Sequence, residues 1–305
     1  MKPLGDSSTT VAIESDASDV RQPLVKLGVI DYLNVAPVYD GLRRDMSLLP
    51  RVELVTGVPA AMNAALLAGE IDLSNVSSVA YGQHVDEWLL VPGLSVAAHE
   101  KVESVLLFSW HADWRALDGA SIALTSDSAT SVALVKLLAE ERFGVRPRYV
   151  TAAPDLDAML AQHDAALLIG DIALVEGQKR REVAGRGRPY VFDLAAEWRA
   201  WTGLPFVFAV WAARGDWARE IASSGVILAL HESKARGGRD LERIAAEAAQ
   251  RLALPEDVCL RYLRLLDYDL GERDLEGLRR FLDLVVPGFH WQAVRFLHES
   301  IEEYA

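Results

Sequence analysis

Between residues 25 and 212 short apolar runs alternate with helix-like segments, and the alternation is broken twice. Strand-like runs fall at 25–30, 51–55, 71–74, 104–109, 120–124, 147–151, 165–169 and 206–212. Between them lie segments such as 59–68, opened by Pro59 and closed by Gly69, and 129–143, closed by Gly144. Proline suits a first helical turn and glycine a helix end. Strands alternating with helices predict an α/β fold with mainly parallel sheet, covered on both faces. The breaks, at 114–119 and 202–205, read as connectors between two bodies. They predict a discontinuous first domain, 23–112 plus 206–305, with a second domain, 113–205, inserted in it. A chain that crosses twice between lobes makes a hinge, with a ligand cleft between the lobes. Residues 216–304 are helical in pattern, and residues 1–22 read as a disordered extension.

A chain of 305 residues is long enough for two cores. Its net charge of −13 argues against nucleic acid or an anionic membrane as partner, because phosphate surfaces demand a local excess of Lys and Arg. An acidic protein still holds an anion where backbone amides and hydroxyls supply the donors. Cys259 is the only cysteine, so no internal disulfide or cysteine zinc cluster forms. The seven histidines make neither an i,i+4 pair nor an H-E-x-x-H pattern, and no metal is expected. No G-x-G-x-x-G follows a strand, so no cofactor is expected either. The longest apolar run, 204–213, is too short to cross a bilayer. The polar start of the chain lacks the apolar run of a signal peptide, which points to the cytoplasm. Oligomeric state is not legible.

The candidate site residues sit where strands give way to helices, the edge at which open α/β sheets bind ligands. Asn34 ends the first strand ahead of Pro37; its amide either meets a ligand oxygen or caps the helix. Ser74, Asn75, Ser77 and Ser78 end another strand. Ser126, Asp127, Ser128, Thr130 and Ser131 surround the start of the 129–143 helix, where unpaired N–H groups and the positive dipole end favour a carboxylate. There the charge of Asp127 competes with an anion unless it turns away. Asp171, after Ile169 and Gly170, either receives a ligand hydroxyl or caps a helix. Ser104 opens a strand, and Trp198, Trp201, Phe206 and Phe208 form either core or the wall of a pocket for a flat ring.

The segments Asp31-Tyr32-Leu33-Asn34, 72–78, 123–126, 168–171 and the string W-T-G-L-P-F-V-F-A-V-W-A from Trp201 to Ala212 occur in this order. Together they resemble the chorismate dehydratase family (MqnA) of the futalosine route to menaquinone. The resemblance runs from about Lys26 to Arg214 and more loosely beyond. It implies the two-lobed type 2 periplasmic-binding-protein fold and conversion of chorismate, without a cofactor, to 3-[(1-carboxyvinyl)oxy]benzoate and water. It implies Asn34 and Ser104 as catalytic residues. Substrate-binding roles fall to Tyr32, Ser77, Ser128, Thr130, Ser131 and Asp171, with the 128–131 hydroxyls on a carboxylate. Many family members carry Ser where this chain has Asp31. Rival readings are the dihydroxynaphthoate synthase of the same pathway, a solute-binding protein serving a transporter, and the effector domain of a regulator.

Overall fold

The computed structural model describes residues 24–44, 51–126, 128–179 and 181–297. The expectations for residues 1–22 and for Asp127 lie outside these. Two sheets organise the chain. The first is built from β1 (Val25–Ile30), β2 (Val52–Gly57), β3 (Leu73–Ser77), β4 (Trp88–Ala98), β10 (Phe206–Arg214) and β11 (Leu266–Asp267), in the order β11-β4-β10-β3-β1-β2. The second holds β5 (Val105–Ser109), β6 (Ser121–Thr125), β7 (Arg148–Ala152), β8 (Ala165–Ile169) and β9 (Tyr190–Asp193), in the order β7-β6-β8-β5-β9. Each sheet has a parallel trio, β2-β1-β3 and β7-β6-β8. The other pairings, β10 with β3 and β4, β11 with β4, and β5 with β8 and β9, are antiparallel, so the sheets are mixed and not mainly parallel as the alternation predicts.

The helices are α1 (Ala36–Arg44), α2 (Pro59–Leu67), α3 (Ser78–Gln83), α4 (Ala129–Leu137), α5 (Leu156–Gln162), α6 (Gly170–Lys179) and α7 (Leu194–Thr202). After β10 come α8 (Ala218–Ser223), α9 (Val226–Arg239), α10 (Leu241–Leu252), α11 (Glu256–Leu265) and α12 (Glu272–Val285). None among the described residues is long and apolar enough to cross a membrane. The apolar string from Phe206 is an interior strand, flanked by β3 and β4. It carries apolar residues on both faces because both are covered.

Strand alternation divides the second lobe's core. Val105, Leu107, Ile122, Leu124 and Leu167 face the large core shared with the first sheet. Leu106, Phe108, Ala123, Ala166 and Leu168 face a smaller cluster with Leu156, Met159 and Leu160 of α5. Successive side chains point to opposite faces, so both faces need covering.

The structure departs from the sequence reading in several places, the short strands β9 and β11 among them. β5, placed in the first body by a boundary at 112, is an interior strand of the second sheet, paired with β8 and β9. The first crossing is therefore 99–104, and the second lies between α7 and β10. The 114–119 segment is no polar hinge, since Trp114 and Leu117 are buried and Trp114 stacks on Phe143 at 4.9 Å. β4 is an eleven-residue strand that the pattern does not reveal. Its Pro92-Gly93 pair reads as a turn but lies in a bulge, where the pairing with β10 shifts.

α1, which follows the short 3₁₀ turn Leu33–Val35, is held by α9 at very close range. A Cβ on Gly41 would stand 3.1 Å from the Ser233 backbone, and one on Gly237 would meet the Pro37 carbonyl oxygen, with its carbon 2.7 Å away. Exposed Gly238 next door faces open space. Gly237→Ala is expected to cost about 3 kcal/mol through overpacking, despite its better helix propensity. Gly238→Ala, with the propensity gain alone, is expected to stabilise by up to about 1 kcal/mol. Thermal melts of the two variants check this, with opposite signs expected.

Candidate active site

The two crossings leave a cleft between the sheets, about 600 Å³ of non-atom space with the open solvent at its mouth included. Its polar lining is Tyr32, Asn34, Asn75, Ser77, Ser104, Ser128 and Ser131, and Val102, Ile169 and Phe208 are among its apolar walls. Among the described residues no charged side chain lines it.

Each polar group is set by the local fold. Asn34 sits in the 3₁₀ turn after β1 and does not cap that turn. Its Oδ1 is buried and has no hydrogen-bond partner among the described residues. An unpaired buried acceptor costs roughly 1–3 kcal/mol, which sets this atom apart from the paired groups around it. Ser77 caps α3 through the Ala80 N–H at 3.2 Å and accepts from Asn63 Nδ2 at 3.3 Å. Ser128 caps α4, its Oγ accepting from the Ser131 N–H at 3.1 Å and donating to Ser131 Oγ at 3.0 Å. The positive end of the α4 dipole thus lies at the cleft wall. A wider chamber beside the cleft shares Ser128 and brings up Lys136.

Ser104 ends the first crossing, and its surroundings fix it closely. Its carbonyl accepts from the Gly170 N–H at 2.8 Å, and its Oγ lies 2.9 Å from the Tyr262 hydroxyl. Just before it, Glu103 adopts φ 57°, a left-handed conformation rare for a side chain of this kind. The Asp193 carboxylate holds this bend, accepting from the N–H groups of Val102 at 3.0 Å and Glu103 at 2.7 Å. The same carboxylate caps α7 through Ala195 and Ala196. Burial pushes the Asp193 carboxyl up, against the pull of these four backbone donors.

Two expected site residues are engaged elsewhere. Thr130 does not line the cleft; its buried Oγ1 accepts from the Val79 N–H of α3 at 3.1 Å. Asp171 is also outside the lining. Its Oδ1 accepts from the Leu33 N–H at 3.0 Å, and its Oδ2 pairs with Arg251 of α10 at 2.8 Å. Both side chains clasp one lobe to the other. Between the clasps the Tyr32 ring lies over Gly170, where φ is +64° and a Cβ would come within 3.2 Å of the ring. Of the aromatic group, Phe208 lines the cleft at a shift in the β10 register, whereas Trp198 and Phe206 pack with Phe281 in the core. Asn75, expected with Ser77 at that strand end, does line the cleft, whereas the wall residues Val76, Val96 and Val102 were not singled out by sequence, since apolar strand and loop positions carry no signal of a ligand.

Elsewhere, His99, Asp267 and Asp274 gather at the crossing, with His99 Nε2 at 3.1 Å from an oxygen of each carboxylate.

This architecture is the two-lobed periplasmic-binding-protein fold. It is similar to the aliphatic sulphonate binding protein SsuA of Escherichia coli, with a TM-score of 0.65 at 16% identity, over 92% of this chain and 99% of that one. A crystal structure of an Archaeoglobus fulgidus protein gives a TM-score of 0.67 at 19% identity, over 85% of this chain and 96% of that one. The chain belongs to the menaquinone biosynthesis family, whose signature matches residues 25–286. It is 38% identical over 266 residues to the chorismate dehydratase of Thermus thermophilus, covering 84% of this chain and 93% of that enzyme.

If Asp171 clasps the lobes, Asp171→Ala frees the Leu33 amide. Hydrogen exchange of a peptide covering residues 31–35 is expected to quicken by about tenfold or more, the loss of one charge-assisted bond. Unchanged exchange would exclude the clasp.

Proposed function

We propose that this protein is a chorismate dehydratase, a hydro-lyase that converts chorismate to 3-[(1-carboxyvinyl)oxy]benzoate and water in menaquinone biosynthesis. Family membership and the similarity to the Thermus thermophilus enzyme support the reading. The observation that carries it is the unpaired Asn34 Oδ1 in a cleft otherwise lined by neutral donors and apolar walls. At neutral pH chorismate has two carboxylates, an ether and one ring hydroxyl. The hydroxyl is its only hydrogen-bond donor, and the carboxylates are acceptors for serine hydroxyls and helix-start N–H groups. A dianion with one donor matches a site with one buried orphan acceptor.

The reaction removes the proton from the ring carbon bearing the ether and the hydroxyl from its neighbour, and the new double bond completes a benzene ring. Aromatisation supplies much of the driving force. The protein's task is to hold the ring so that both bonds can break, and to stabilise charge as it moves. Ser128, Ser131 and the α4 start receive a carboxylate in this reading, while Asn34 and Ser104 flank the reacting carbons. Tyr32 and Ser77 complete the enclosure. The described lining holds no imidazole, carboxylate or amine. The proton therefore passes to a carboxylate of the substrate itself and from there to the departing hydroxyl, which leaves as water. No cofactor enters this scheme, and its setting is the cytoplasm.

Incubation with chorismate, followed by chromatography for the enolpyruvyl benzoate, tests the activity; tight binding without turnover would instead mark a carrier. Asn34→Ala is expected to lower kcat/KM by about 10–10²-fold, the loss of one buried hydrogen bond that holds the substrate hydroxyl in place, with the melting temperature not lowered. With no protein base titrating near neutrality, kcat/KM is expected to be flat from about pH 6 to 9. An acidic limb at the ordinary histidine value, near 6.5, would instead require an imidazole base.

A further inference from the structure

Tyr262 lies 158 residues from Ser104 in sequence, on α11, and reaches the cleft from behind. Its side chain is fully buried, and its hydroxyl donates to Ser104 Oγ at 2.9 Å. Ser104 is itself 2% exposed and is one of the residues that line the cleft. A serine hydroxyl carries one hydrogen and two lone pairs. With a lone pair taken by Tyr262, and no other protein partner for this Oγ among the described residues, its hydrogen is left for the cleft.

We infer that Tyr262 is a positioning residue, which turns the Ser104 hydroxyl into a donor aimed at the bound ligand. The inference rests on the proposed reading of Ser104 as a group that meets the substrate. The backbone around Ser104 is already immobilised by Gly170 and by the Asp193-held bend at Glu103. What remains free is rotation of the side chain and of its hydrogen, and Tyr262 restricts both. Burial keeps the phenol protonated far above neutrality, and Asp171, Asp193 and Glu103 push the same way. The tyrosine therefore remains a donor throughout the working range of the enzyme.

A donor held in place before the substrate arrives needs no reorganisation as charge develops. Without the phenol, the serine hydrogen can turn back into the protein, and the donor is lost for part of the time. Such a loss falls on the chemical step more than on binding.

Tyr262→Phe removes one oxygen and keeps the ring that fills the core, so the variant is expected to fold. Its kcat on chorismate is expected to fall about tenfold, with KM changed less than twofold. Ser104→Ala is expected to fall further, and adding Tyr262→Phe to it should lower kcat no more, because the tyrosine then has nothing to orient. Thermal melts of the four proteins separate a merely structural role, which would lower stability without this dependence on Ser104. Full kcat in Tyr262→Phe, or an equal further loss in the Ser104→Ala background, would overturn the inference while leaving the dehydratase reading intact. Absence of any turnover by the unmodified protein would overturn that reading instead.

Discussion

One partly buried carboxylate, Asp193, holds the two halves of this molecule in register. It accepts from four backbone N–H groups, two at the crossing and two at the start of α7. The crossing that leaves β4 is thereby fixed to the helix that leads back to β10. Keeping a charge in such a place is costly unless donors surround it, and here the backbone supplies them. Without this junction Glu103 loses the acceptor that holds its left-handed turn, and Ser104 keeps only its bonds to Gly170 and Tyr262. The cleft follows from the junction, since its inner wall is the crossing itself.

The electrostatics of the cleft oppose those of the whole chain. A protein of net charge −13 does not draw in a dianion by its overall field. The remedy is local: hydroxyls, amides and a helix start, all neutral, within low-dielectric walls where each such group counts for more. Arginines are plentiful near the lobe contacts, but they pair with Asp40, Asp171 and Glu247 outside the lining. A neutral lining lets a substrate carboxylate stay basic, which a salt bridge to it would suppress.

Much of this was legible in the sequence, for reasons that particular residues make plain. Asn34 follows an apolar run and precedes a proline, so its place at a strand end depends only on local pattern. Ser128 and Ser131 are likewise marked by the helix that they open. Thr130 and Asp171 share the same local marks, yet they bind backbone of the opposite lobe. Composition cannot separate a ligand-facing cap from a clasp, because the partner is distant in sequence. The boundary at 112 failed for a similar reason. β5 looks like any apolar strand, and only its pairing with β8 and β9 shows which sheet it joins. Tyr262 left no trace at all, being one more apolar position on an amphipathic helix.

The orphan oxygen of Asn34 also bears on how a catalytic cycle ends. In the dehydratase reading, the benzenoid product has nothing left with which to satisfy that oxygen, and only the expelled water does. Sites built to bond a hydroxyl discriminate strongly against molecules lacking one. The flat, fully conjugated acid is then a poorer tenant than its precursor, and its departure is favoured by the same atom that welcomed the diene.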